Sequence, residues 1–270
     1  MASKDELGDR MKSYEAVETH RKLDLNLPIY ARIDGRGFSK FTQHMHRPFD
    51  QRMTDCMIET TKHLIDATHA EIGYVQSDEI SLVWQAPEFE NSGFFSGKVQ
   101  KLCSVLAGIA TARFAVAYYD LFGTLSRDYP HFDCRVISMP SETEAANMML
   151  WRELDARKNA VSMAARHFFS HSALQHKSGA EMAAMMLNHG QSMNDYPVAF
   201  TRGTWLQRVV EQRTLTKEEL QRIPVDRQPE DGTTFSRSSI KVIQMPPFAD
   251  VANRVEVIFD HAAPINEKVL

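Results

Sequence analysis

At 270 residues, with 43% hydrophobic and 24% charged side chains, the chain has the composition of a globular protein: one large domain or two modest ones around a substantial core. A formal charge of −4 excludes a generally basic nucleic-acid binder, so any nucleic acid would be held by a local basic surface. No apolar run approaches the roughly 20 residues of a membrane span. The polar, acidic Met1–Asp9 start is unlike a signal peptide, and Cys56, Cys103 and Cys134, isolated and without metal-ligand spacing, suit a reducing cytoplasm.

Residues 5–20 read as a charged, mildly amphipathic helix. In 28–34 the residues alternate: Ile29, Ala31 and Ile33 point one way, and Tyr30, Arg32 and Asp34 the other, as in a half-buried strand with a polar working face. Residues 50–69 carry Met53, Met57, Leu64 and Ile65 near helical spacing. Glu71–Gln76 and Ile80–Trp84 form a hairpin around Ser77-Asp78-Glu79. Phe94–Tyr119 predicts a second long helix and Asp133–Met139 a further strand. The order strand, helix, strand, strand, helix, strand is the ferredoxin-like βαββαβ order of an α+β protein. It places both helices on one sheet face and leaves the other open. Ser141-Glu142-Thr143-Glu144 predicts a capping box opening a helix to about His171, and Ser178–Glu181 another, ended by Gly190. Trp205–Val210, Ile240–Met245 and Val255–Phe259 predict strands, and the polar Gln228–Ser239 a mobile loop. A boundary near Pro140 separates a catalytic part, 1–140, from an accessory helical and strand region, 141–270.

Two acidic clusters carry the chemistry. Asp34 ends one strand, and Asp78-Glu79 occupies the bend of a neighbouring hairpin. Carboxylates so gathered repel, and divalent cations remove the repulsion. Two Mg²⁺ ions about 3.5–4 Å apart serve nucleotidyl transfer. Asp34 and Asp78 are the candidate direct ligands, with the Gly35 carbonyl as a third. Glu79 acts at one remove, through water or through the ligands. The alternative is that these are ordinary solvated turn residues. The Gly35–Ser39 loop, with Arg36, Gly37, Phe38 and Ser39, is a candidate triphosphate cradle, although Asp-Gly is first of all a turn dipeptide. Arg32, Arg47, Lys98 and Arg135 are candidate phosphate cations, although each alone is first of all a surface charge. Residues 141–171 also carry Arg152, Arg157, Lys158 and Asn159, a locally basic helix suited to a phosphate backbone or simply to solvent.

At Arg32-Ile33-Asp34-Gly35-Arg36-Gly37-Phe38 and Gln76-Ser77-Asp78-Glu79-Ile80-Ser81 the chain resembles the tRNA-His guanylyltransferase family. Gly97-Lys98, Phe132-Asp133-Cys134-Arg135, Leu150-Trp151-Arg152, Asn194-Asp195-Tyr196-Pro197 and Arg202-Gly203 extend the resemblance. It implies a polymerase-type palm that extends RNA at its 5′ end, in the 3′-to-5′ direction. ATP or GTP activates the 5′-monophosphate, and the 3′-hydroxyl of an incoming nucleoside triphosphate attacks it. By motif position Asp34, Gly35 and Asp78 resemble the metal site, and Ser77 and Glu79 supporting catalytic residues. Arg32, Arg47, Lys98 and Arg135 resemble triphosphate or 5′-end contacts. The family implies homotetramers with tRNA crossing between subunits. Where eukaryotic members carry Cys-His-Ile-Asn-Asn, this chain has Ala156-Arg157-Lys158-Asn159-Ala160. That is similar to the bacterial and archaeal guanylyltransferase-like branch and implies template-directed repair of 5′-truncated tRNA. The alternatives are a dedicated tRNA-His guanylyltransferase, a palm that uses nucleoside triphosphates alone, and an RNA-binding module without catalysis.

Overall fold

The computed structural model describes residues 6–85, 95–229 and 233–267. Helix α1 (Glu6–Thr19) leads to strand β1 (Ile29–Arg36) and helix α2 (Gln51–Thr68). Asp50 starts α2 by accepting a hydrogen bond from the Arg52 amide, and His69 stops it in the left-handed region. Strands β2 (Ile72–Gln76) and β3 (Glu79–Trp84) then form the expected hairpin. Helix α3 (Val99–Phe122) and strand β4 (His131–Ser138) complete the predicted order. Phe94, the expected start of the second helix, lies outside the described residues. The strands stand in the antiparallel order β4-β1-β3-β2.

The chain continues through α4 (Glu142–Phe168), α5 (Gly179–Asn188), β5 (Thr204–Thr214), β6 (Thr234–Ile243) and α6 (Arg254–Phe259). Strand β5 hydrogen-bonds to β2, so one six-stranded sheet runs through both halves of the chain. The result is a mixed helical and antiparallel-sheet fold. Ser141 accepts from the Glu144 amide, but the Glu144 carboxylate turns to Asn147 and leaves that box half made. The box at Ser178 and Glu181 is complete.

Several expectations change. Gln228–Ser239, read as a loop, enters a strand at Thr234: β6 pairs with β5 from Thr214↔Thr234 to Trp205↔Ile243. Its Ser and Thr residues serve a ribbon wet on both faces, a pattern that composition alone reads as loop. Beyond Gln207, β5 pairs only with β6, and the ribbon projects past the sheet. Val255–Phe259, read as a strand from its β-branched residues, is helical, because Val257, Ile258 and Phe259 bury together against α4 and Trp205.

The β1 face with Ile29, Ala31 and Ile33 packs on α2 and α3 as expected. The opposite face is not simply open. Tyr30, Tyr74 and Val83 are buried there under Met149 of α4, Trp205 and Phe248. Only its β4 side, with Asp133, Arg135 and Ile137, stays exposed. Helix α3 is long and apolar enough by composition to cross a membrane, contrary to the reading of the sequence. It buries Leu102, Leu106, Ala110 and Phe114 in the core, as the central helix of a globular domain does. The cysteines are free but not all isolated, since Cys103 of α3 and Cys134 of β4 pack side by side against the same core.

Candidate active site

The antiparallel register brings the acidic clusters together. Asp34, near the end of β1, stands opposite Glu79 on β3 and Asp133 on β4. The hairpin closes in two residues, because Gln76 pairs with Glu79, and Ser77 takes the left-handed φ of 54° that this tight turn requires. The Gly35 amide donates to the Asp78 carbonyl at 3.0 Å, which fixes the turn against β1. A Cβ at Gly35 would stand 2.4 Å from the Phe38 ring, so only glycine allows this approach.

Burial and mutual repulsion define the electrostatics. Asp78 is pushed up to about 6 by burial, with the Asp34 charge adding to the rise; the Ser77 hydroxyl, donating to its Oδ1 at 3.0 Å, opposes it. Asp34 is also raised, first by burial and then by Asp133, against the pull of Arg32 and Arg135. Neither Asp34 nor Asp78 forms an ion pair among the described residues. Glu79 is treated differently. Arg152 of α4 grips it with both arms, Nε at 2.6 Å and Nη2 at 2.8 Å, and Arg32 stands 3.8 Å away. Burial still lifts Glu79 above its ordinary range despite these bonds. Burial also works against the Arg152 charge, but the bonds to Glu79 outweigh it and raise Arg152.

These carboxylates lie at the floor of a cleft of about 810 Å³ between the 35–54 segment and α4, within the range of small-molecule sites. Gly37, Phe38 and Ser39 line it, as does Arg47. Gly37, at φ 71°, starts a short helical turn, Phe38–Phe41, whose first amides have no acceptor within the helix. Asp50 fixes the far end of this wall: its carboxylate accepts from the His46 and Arg52 amides and the Arg52 guanidinium.

The other predicted residues separate. Arg32 and Arg135 pair across β1 and β4 on the Asp34 face. Arg36 is exposed beside the cleft. Lys98 caps α3 beside 21–24, at the Ile29 end of β1, the far end of the sheet from Asp34. Arg152, expected as an exposed contact to RNA, is 7% exposed and committed to Glu79 and Asp155. Its helical phase puts it beneath α4, while Arg157 and Lys158 are exposed. Asn159 lines the cleft and donates to Asp155. His46, Arg166 and His167 also line the cleft; the sequence marks Arg166 and His167 only as part of a basic helix, and nothing in it joins that helix to His46.

No group of three or more His, Cys, Asp or Glu side chains converges as a metal site among the described residues. A divalent ion would instead rest on Asp34, Asp78 and backbone oxygen. Two raised, unpaired carboxylates fit Mg²⁺, which takes one or two carboxylates and completes its shell with water and phosphate.

A family model described as tRNAHis guanylyltransferase matches residues 8–140. An uncharacterised protein of Acanthamoeba polyphaga mimivirus is 28% identical over 202 residues, 67% of this chain and 69% of that protein. The tRNA(His) guanylyltransferase of Schizosaccharomyces pombe is 28% identical over 152 residues, 54% of this chain and 57% of that enzyme. The match thus spans little more than half of that relative's length. A bacterial tRNA(His) guanylyltransferase-like protein in complex with ATP is similar throughout: TM-score 0.74, 29% identity, covering 94% of this chain and 99% of the other. A structure of such a protein in complex with GTP gives a TM-score of 0.69 at 29% identity, covering 91% and 94%.

Proposed function

We propose that the chain is a member of the tRNAHis guanylyltransferase family, an Mg²⁺-dependent nucleotidyltransferase that adds nucleotides to the 5′ end of tRNA, in the 3′-to-5′ direction. The observation that carries this reading is the unpaired Asp34 and Asp78 at the floor of a cleft, with the Arg32 and Arg135 charges close enough to act on Asp34. The β4-β1-β3-β2 order with both crossover helices on one face supports its description as a ferredoxin-like polymerase palm.

In this proposal Asp34, Asp78 and the Gly35 carbonyl hold the metal ions. When bound, such ions favour ionisation of the attacking hydroxyl and neutralise the leaving phosphates. Ser77 orients Asp78 through its hydrogen bond. Arg152 fixes Glu79 beside them and keeps its charge occupied. The wall formed by Gly37, Phe38, Ser39 and Arg47 receives ATP or GTP and the incoming nucleotide. Arg32 and Arg135 meet phosphate oxygens with their planar guanidinium forks. Arg157 and Lys158 contact the RNA backbone. The incoming 3′-hydroxyl attacks the activated 5′ phosphorus, and the activating nucleotide or pyrophosphate departs.

The bacterial and archaeal guanylyltransferase-like branch, and with it repair of 5′-truncated tRNA, rests on Arg157 standing where eukaryotic members carry His. Homotetrameric assembly and a cytoplasmic setting belong to the same proposal. The deciding experiment supplies 5′-monophosphorylated tRNA lacking its first nucleotide, with Mg²⁺, ATP and each nucleoside triphosphate in turn. Incorporation only of the nucleotide that pairs with the opposite base is expected. Guanosine added to full-length tRNA-His regardless of template would replace repair with the dedicated activity.

A further inference from the structure

Of the three tryptophans, Trp84 and Trp205 are buried, at 1% and 3% exposure, while Trp151 is 51% exposed. An exposed indole offers a large flat face with a polar edge, a surface suited to recognition. Its surroundings define the partner. The Arg152 guanidinium carbon lies 4.4 Å from the centre of the Trp151 ring. Arg152 is itself immobilised by Glu79 and Asp155. A fixed cation therefore backs the indole and links it, through one residue, to the carboxylate beside Asp34.

Helix geometry gives the direction. Glu153 reaches toward β5, where Trp205 donates to it. Trp151, two residues earlier, stands about 200° away around α4, on the side of the sheet where Asp133, Arg135 and Ile137 are exposed. Lys158 follows seven residues later on the same stripe, exposed and without an ion-pair partner among the described residues. A flat apolar surface with Lys158 along the helix and Arg135 on the exposed β4 side of the sheet face that α4 covers fits a nucleobase with its phosphates better than another protein's apolar patch.

We propose that Trp151 is a stacking platform for a nucleobase at the edge of the active site, with Lys158 and Arg135 meeting the flanking phosphates. The proposal rests on the nucleotidyltransferase reading for the direction in which RNA or nucleotide enters. The stacking surface itself is defined by the indole and Arg152.

Trp151 supplies its own reporter, because the two remaining tryptophans are buried. Intrinsic fluorescence of the full chain is titrated with a 5′-monophosphorylated acceptor-stem RNA hairpin, and separately with ATP and with GTP. Parallel filter binding follows Trp151→Ala and Trp151→Phe, and sedimentation follows their assembly. Quenching by the hairpin assigns an RNA base to the platform, and quenching by ATP or GTP alone assigns the base of the free nucleotide. For that ligand, Trp151→Ala is expected to weaken binding roughly 5- to 100-fold, and Trp151→Phe to restore most of it. Absence of quenching in every arm overturns the proposal, as does Trp151→Ala binding within about twofold of the parent. A loss of assembly in Trp151→Ala would also overturn it, and would give the indole to a subunit contact. Turnover is not read, so a chain that stacks RNA but transfers nothing would keep this inference and lose the function proposed above.

Discussion

Glu153 and the Asp34–Asp78 pair are all held above the ordinary carboxylate range by burial, yet they live in opposite surroundings. Glu153 is fully buried and fully answered: it accepts from Trp205 Nε1 at 3.1 Å and from the Phe248 amide at 3.0 Å, with Arg202 3.9 Å away. Asp34 and Asp78 face each other with no ion pair among the described residues. Burial alone therefore does not separate a structural carboxylate from a working one. What separates them is whether the protein supplies the counter-charge or leaves it to a ligand. Arg152 and Glu153, adjacent on α4, show both solutions from one helix.

The comparison can be broken by crossing the two properties. The largest effect is expected for Asp78→Ala, with nucleotide addition falling roughly 100-fold or more. Its stability without metal should be unchanged or higher, because a repelled charge has gone. Urea titrations with and without Mg²⁺ check the corollary: the ion should raise the midpoint of the parent and not that of the variant. Arg152→Ala should lower both properties, since it strands Glu79; about 3 kcal/mol of stability is expected to go, read by denaturation. An Arg152→Ala protein of parental stability would show that Glu79 is not held as described.

Glu153→Ala should give the mirror image of Asp78→Ala. Stranding Trp205 Nε1 and the Phe248 amide costs about 2 kcal/mol, while activity per folded molecule stays near the parent. Glu153→Gln, which keeps an acceptor, should recover part of the loss. The smallest effect concerns Asp50. Its folded-state pKa of about 2, set first by the Arg52 guanidinium, lies below the ordinary carboxylate value. Its contribution is therefore fully present above roughly pH 4 and is lost as pH falls through about 2. Asp50→Asn should flatten the acid limb of a stability profile and cost about 1 kcal/mol at neutral pH, because the charged bond to the Arg52 guanidinium is lost while an acceptor for the cap remains.

The sequence makes part of this arrangement legible. The alternation in 29–34 and the hairpin around Ser77-Asp78 suffice to bring Asp34 beside Asp78, because strand register is local and periodic. The element order of the first half follows from the same signals. The grip of Arg152 on Glu79 is not legible, since 73 residues separate them and the local pattern of α4 reads only as basic. The covered half of the second sheet face escapes for a similar reason: it depends on Met149, Trp205 and Phe248 arriving from three later segments. The β5–β6 ribbon and the Val255–Phe259 helix are misread because tertiary pairing and burial outweigh local propensity there.

Phe38 joins two parts of the molecule that enzymes often keep separate. It lines the cleft, and its ring also packs on Phe41, Phe114 and Phe132, with centroids 5.1, 5.4 and 5.1 Å away. The same ring fills the space in which a side chain at position 35 would stand. The cleft wall is thus the outer layer of the hydrophobic core rather than a lid hung upon it. Heat should find no separate melting step for this wall: the carboxylate floor survives as long as the aromatic cluster does, and both fail in one cooperative event.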